Sequence, residues 1–318
     1  MLIATSSCLL GNKVRYDGSS KNNKFILREL IDYCDFEAIC PEDLAFGTPR
    51  PTIQIDLGAD KNNPQYRAVV SKTGDDVTDP LLVAISKELQ RLKTLPIAGI
   101  ILKSKSPSCG LGSCRYYRNG AVVERSHGLF AKACVEAFPE LPIEEEARLN
   151  DAWLRENFVM RIFAYEAMRE LVATITGYHE LVDFHTNYKF LLQSKHELNY
   201  RELGNIVANH DKLSLEDVVT RYQLLFNQTI AERSSIKKTT NVLEHMLGFF
   251  KRDLDTEDKA HILGLMDKYR EKTIPLVAIT EVFKLFAKKY DKTFLLRQCF
   301  LNPYPESLAL RSNILAGR

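Results

Sequence analysis

Seven cysteines are spread over a chain of 318 residues, and three of them stand where short apolar runs give way to turn-forming residues. Cys8 falls near the end of the run Leu2 to Leu10 and precedes Gly11. Cys40 closes Phe36 to Cys40 and precedes Pro41. Cys109 follows Ile97 to Lys103 across a short loop, Ser104 to Ser108, and is flanked by Pro107 and Gly110. If these runs are strands of one parallel sheet, they finish on a common edge, and three thiols distant in sequence gather there. Thiolate is a soft donor that favours zinc or an iron-sulfur cluster. Three protein ligands leave one position open, as in a catalytic metal centre. A second possibility stands beside this: four residues separate Cys109 from Cys114, a spacing also found in plant-type ferredoxins, so Cys114 is a candidate fourth ligand of a closed site. Cys34 and Cys134 lie in helical apolar patterns and read as core residues, as does Cys299.

The elements that must place these thiols are legible as periodicities. The three apolar runs read as buried strands, and Lys24 to Tyr33, Pro80 to Leu92 and Leu129 to Phe138 carry apolar residues at helical spacing. Strands alternating with helices predict an α/β domain with a Rossmann-like parallel sheet over residues 1–147, whose ligand site lies beyond the carboxyl ends of the strands. Glu140 to Glu146 reads as a connection. From there the texture changes, and an all-α domain is predicted over 148–318. Its helical patterns are Trp153 to Val172, His185 to Ser194, Tyr200 to Ala208, Leu215 to Asn227, Asn241 to Lys251, Asp258 to Lys272 and Val277 to Tyr290, with an irregular close at Asn302 to Arg311.

Composition narrows the class. A net charge of +2 argues against unspecific coating of nucleic acid, which rests on a large surplus of Lys and Arg. No run approaches the ~20 apolar residues of a membrane helix, and the start lacks the pattern of a signal peptide, so the expected location is cytoplasmic. An odd number of cysteines in such a chain is no disulfide scaffold.

Three strings in order are specific in combination: Cys8-Leu-Leu-Gly11 with Val14-Arg-Tyr-Asp-Gly18, Cys40-Pro-Glu42 with Gly47-Thr-Pro-Arg-Pro51, and Lys105-Ser-Pro-Ser-Cys-Gly110. Together they resemble the thiouracil desulfidase family over roughly residues 1 to 145. The second half is similar to a helical domain often fused to it, through His185, Lys189, Asn241-Val-Leu-Glu-His-Met-Leu-Gly248 and Pro303-Tyr-Pro305. That architecture resembles bacterial desulfidases acting on 4-thiouridine in transfer RNA. The resemblance implies a 4Fe-4S cluster held by Cys8, Cys40 and Cys109 with the fourth iron open, a catalytic carboxylate at Glu42 and a catalytic serine at Ser106. The sequence departs from the family pattern at Asp43 to Phe46, where small and aliphatic residues are usual.

Loss of sulfur from a thiocarbonyl needs water, proton transfers and a stabilised sulfide, and no net electron transfer. Glu42, two residues from a candidate ligand, suits the proton transfers, and Ser106 or Ser108 suits orientation of base or water. Arg50 is a candidate for a substrate phosphate and equally for a structural ion pair. In the helical half, residues 151–318 hold 24 basic and 22 acidic side chains, so the small positive excess lies there. Lys189, Lys237 and Lys238 are the candidate RNA contacts, Arg233 joins the last two, and Lys284, Lys288, Lys289 and Lys292 form a second group; Tyr188 or Tyr222 would add stacking. Six of the seven histidines lie in this half without zinc-finger spacing. The expected activity is release of sulfide from 4-thiouridine in transfer RNA. The rivals are a desulfidase of free thiouracil or thiolated nucleotides, and a metal- or redox-sensing nucleic-acid-binding protein.

Overall fold

The computed structural model describes residues 1–61 and 65–312. The chain divides into two compact units, Met1–Leu149 and Asn150–Arg318. In chain order the first unit contains β1 (Leu2–Ser6), β2 (Asp35–Ile39), α1 (Pro41–Phe46), β3 (Ile53–Asp56), β4 (Arg67–Val70), α2 (Thr78–Lys93), β5 (Ile97–Leu102), β6 (Cys114–Arg118), β7 (Ala121–Ser126), α3 (Leu129–Ala137) and β8 (Ile143–Glu145).

Four strands form a parallel sheet in the order β2-β1-β5-β8. Every residue of β5 is buried, as expected of a strand covered on both faces. Ser6 pairs with Ile39 and Thr5 with Ile101, so the first three strands end level with one another. The chain passes from β1 to β2 on one side and later enters β5 on the other. This reversal opens a crevice beyond the carboxyl ends of β1 and β5.

The structure corrects the sequence reading in four places. The first strand stops at Ser6, because Ser7–Leu10 form a 3-10 turn closed by Gly11 at φ +97°; Cys8 therefore sits in the turn. The helical pattern at Lys24 to Tyr33 contains a wider, π-type turn over Ile26–Leu30. Residues taken as a connection supply β8, the sheet's fourth strand. Finally, a second sheet in the order β4-β3-β6-β7 was not anticipated. Its β6–β7 hairpin turns at Asn119 and Gly120, both at positive φ, the conformation that Asn-Gly favours in a two-residue hairpin.

The second unit is helical: α4 (Ala152–Thr174), α5 (Tyr178–Lys195), α6 (Glu197–Ala208), α7 (Leu215–Ala231), α8 (Ile236–Leu247), α9 (Thr256–Arg270), α10 (Leu276–Lys289) and the short α11 (Thr293–Leu296). Several of its helices start where side chains satisfy free backbone donors. Asp151 accepts from the N–H groups of Trp153 and Leu154, Ser214 from Asp217, Ser235 from Lys238 and Asp255 from Asp258. Among the described residues no helix is long and apolar enough to cross a membrane.

Candidate active site

Cys8, Cys40 and Cys109 line one cavity of about 310 Å³ at the crevice. Each is placed by a different device. The carbonyl of Cys8 accepts the N–H groups of Gly11 and Lys21, which closes the turn around it. Cys40 stands between β2 and α1, where Pro41 opens the helix with a ring already set to the helical φ. Cys109 belongs to the loop after β5, and its N–H, like that of Ser108, donates to Ser106 Oγ, at 3.1 and 3.2 Å. Gly128 secures the same loop from outside. Its N–H donates to the Gly110 carbonyl, and a Cβ there would lie 2.4 Å from the Ser108 carbonyl oxygen.

Burial raises the pKa of all three thiols, that of Cys40 to about 12; Cys40 and Cys8 add to the rise at Cys109. Three protonated soft donors around one cavity fit a body that supplies positive charge and takes sulfur ligands, since binding then drives the deprotonation. Among the described residues no group of three or more His, Cys, Asp and Glu side chains converges as a single-ion site requires. All three thiols line the same cavity, and a set of soft sulfur donors there fits an iron-sulfur cluster. Cys114 is buried and lines a different cavity. Cys34 and Cys134 are buried in the core, and burial with a hydrogen bond to Tyr188 accounts for Cys299.

Glu42, on the first turn of α1, faces the same cavity. Its Oε1 accepts from Ser106 Oγ at 3.1 Å and Ser108 Oγ at 2.9 Å, and its Oε2 from Arg50 at 3.1 Å. The Arg50 side chain is only 4% exposed. Its Nη1 also donates to the carbonyls of Val14 and Gly47 and to Thr48 Oγ1. The guanidinium thus ties Glu42 to the loop around it, the ion-pair alternative for this residue.

Three further acid-base groups were not singled out in the sequence. Lys103, just past β5, lines the cavity and is held by Glu146, whose carboxylate also accepts from the N–H and Oγ of Ser104. Glu145, buried at the end of β8, accepts from Ser113 Oγ and the Leu111 N–H, and burial raises its pKa. Both acids fell in the stretch read as a connection; two adjacent carboxylates at a strand end were the available signal. Arg15, Lys21 and Lys105 also line the cavity, and among the described residues no ion pair engages them.

In the helical unit, Lys189 lies 5.8 Å from the centre of the Phe190 ring. Lys237 is exposed on α8. Lys238 Nζ donates to the carbonyls of Lys195 and Arg233, at 2.6 and 3.3 Å, and Arg233 stacks on Trp153. Tyr188 and Tyr222 do not offer free rings: both are buried in a cluster with Phe184 and Phe226. His185 donates to or accepts from Tyr222 there, and burial pulls its pKa down to about 4. The second basic group is partly neutralised, because Lys284 pairs with Glu281 and Glu306, and Lys292 with Asp253.

The profile of the 2-thiouracil desulfurase family matches residues 3–146. A second profile, described as a protein of unknown function (DUF1722), matches residues 189–305. A Bacillus subtilis (strain 168) protein, YbbK, is 38% identical over 114 residues, which are 35% of this chain and 74% of YbbK. The Escherichia coli (strain K12) protein YbgA is 27% identical over 157 residues, 49% of this chain and 93% of YbgA. Both are described as uncharacterized. Among solved structures, the 4Fe-4S-dependent thiouracil desulfidase TudS matches at 28% identity with a TM-score of 0.36, over 46% of this chain and 92% of TudS.

Proposed function

Through residues 3–146 the chain belongs to the 2-thiouracil desulfurase family, and from that premise we propose that it is a 4Fe-4S-dependent desulfidase that converts 4-thiouridine in transfer RNA to uridine, with release of sulfide. The reading rests on one arrangement above all: a carboxylate fixed by two serines and an arginine looks into the cavity that three cysteines ring.

Cys8, Cys40 and Cys109 would hold the cluster. When bound, it supplies a Lewis-acidic iron with an open position, suited to the soft sulfur of a thiocarbonyl. Glu42 takes a proton from the attacking water as the new carbon-oxygen bond forms, and gives it to the departing sulfur as the carbon-sulfur bond breaks. Thiocarbonyl plus water becomes carbonyl plus hydrogen sulfide, so atoms balance and no electrons are transferred. Ser106 and Ser108 hold Glu42 Oε1 in place, and Arg50 holds Oε2. Lys103, fixed by Glu146, adds a positive charge beside the leaving sulfide.

The cations on the cavity rim favour a phosphorylated substrate over free thiouracil, because among the described residues Arg15, Lys21 and Lys105 form no ion pair. Lys237 and Lys189 in the helical unit are the proposed further contacts to the RNA backbone, with Lys238 and Arg233 setting the shape of that surface. The test compares sulfide release from thiolated transfer RNA, 4-thiouridine monophosphate and thiouracil, on one anaerobic preparation of the full chain. Fastest turnover of the RNA per unit concentration supports the reading; a preference for free thiouracil refutes the substrate assignment.

A further inference from the structure

A second cavity of about 270 Å³ adjoins the thiol-lined one, and the two share a wall, since Lys105 and Pro107 line both. Beyond the wall it extends over Ile53 and Gln54 of β3 and over Cys114, Arg115 and Tyr117 of β6. The wall is thin and rigid. Its middle residue, Ser106, donates to Glu42, so one residue separates the carboxylate from the second cavity. The Lys105 N–H donates to Ser113 Oγ at 2.6 Å, which Glu145 holds in turn. The carbonyls of Ser106 and Pro107 accept the N–H groups of Gly110 and Leu129, each at 3.0 Å. Lys105 itself lies at φ +60°, a left-handed conformation that a lysine keeps only where its surroundings impose it, and which recurs at ligand sites.

Among the described residues no acidic side chain lines this second cavity. Lys105 and Arg115 are exposed and, among the described residues, neither forms an ion pair. Tyr117 lines the same cavity and is half-buried, and Ile53 and Pro107 add apolar surface. A ring and two cations lining one cavity are what an unpaired nucleotide engages: the base stacks, and the phosphate meets the charge. Position adds to composition. A substrate with its reacting carbon at Glu42 has its neighbour in the strand within reach of a cavity one residue away.

We propose that this cavity is a subsite for the nucleotide adjoining the thiolated one in an unpaired RNA strand, its base against Tyr117 and the linking phosphodiester at Lys105 and Arg115. The proposal rests on the desulfidase reading and adds to it a place for a second nucleotide of the strand. Cys114 is then part of the subsite wall.

The test is competition of unmodified uridine trinucleotide and uridine monophosphate against a fluorescently labelled trinucleotide on the cluster-loaded full chain. The wild type is expected to bind the trinucleotide about tenfold or more tightly than the mononucleotide, the worth of one stacked base. Tyr117→Ala and Arg115→Ala should each remove most of that ratio, and Tyr117→Phe, which keeps the ring and the packing, should retain it. Lys105→Gly, which accepts the positive φ without strain, should lower it too. Equal affinities in the wild type, or a ratio that survives Tyr117→Ala and Lys105→Gly, would overturn the subsite. Sulfide release from a thiolated trinucleotide, followed in parallel, separates the two claims. Release without the binding ratio overturns the subsite alone, whereas a variant-sensitive ratio without release overturns the desulfidase reading and leaves the subsite standing.

Discussion

Arg50 offers a sharp test, because two roles predict opposite kinetics. Its side chain is 4% exposed and that of Glu42 15%, so the pair is largely withdrawn from water. Four hydrogen bonds, to Glu42, Val14, Gly47 and Thr48, engage the guanidinium's Nη1 and Nη2 groups. Removing one member of a buried pair costs about 3–5 kcal/mol, much of it from the charge left behind. Arg50→Met should therefore lower unfolding free energy by an amount of that order, measured in urea on the full chain. If about 1.4 kcal/mol of the loss reaches the transition state through a misplaced Glu42, turnover falls about tenfold. Arg50→Lys, which keeps charge but cannot span both Glu42 and the Val14 carbonyl, should recover stability better than turnover. Both variants should show the loss in kcat with little change in KM. An Arg50→Met protein of wild-type stability and kcat, with KM raised only for phosphorylated substrates, would refute the positioning role and restore the phosphate contact.

Three other outcomes are expected. Ser at Cys8, Cys40 or Cys109 should abolish the cluster measured as iron and sulfide after anaerobic reconstitution, and Cys114→Ser should keep it; the reverse result for Cys109 and Cys114 would overturn the ligand assignment. Gly128→Ala drives a Cβ against the Ser108 carbonyl, so it should destabilise the first unit by about 1–3 kcal/mol and lower cluster retention, read from iron content after dilution. Lys195, fully buried with Nζ donating to Asn157, has its pKa pulled down by burial to about 7 from 10.5. Between those values the unfolded chain binds the proton and the folded one does not, so stability should rise with pH across this window, by at most about 1.4 kcal/mol per unit. Urea unfolding over that range should show the rise, and Lys195→Met should flatten it.

The parts of the site set by local pattern were readable before the fold was known. Three apolar runs ended by Cys and turn residues announced a sheet edge, and β1, β2 and β5 do finish level. The parallel sheet and the helical second half follow from periodicities long enough to be unambiguous. What escaped was short or long-range. Strand β8 has three residues, too few for a period, and β7 is exposed at five of its six positions, so no alternation marks it; Asn119-Gly120 was the signal that a hairpin stood there. The role of Arg50 depends on Glu42 and Val14, eight and 36 residues away, and no spacing rule links them. Tyr188 and Tyr222 looked available for stacking because aromatic residues on helices read alike whether they face RNA or a core; the neighbours Phe184 and Phe226 decided the matter.

The proposed reaction is a hydrolytic removal of sulfur governed by Glu42 beside a cluster on three cysteines. Its most direct test is to incubate the reconstituted full chain with 4-thiouridine-containing transfer RNA, without oxygen and without any electron donor or acceptor, and to quantify uridine and sulfide together. One sulfide is predicted for each uridine formed, with Glu42→Gln retaining full iron content and losing about a hundredfold or more in rate. Uridine formation that requires an electron donor, or undiminished sulfide release by Glu42→Gln, would contradict the account.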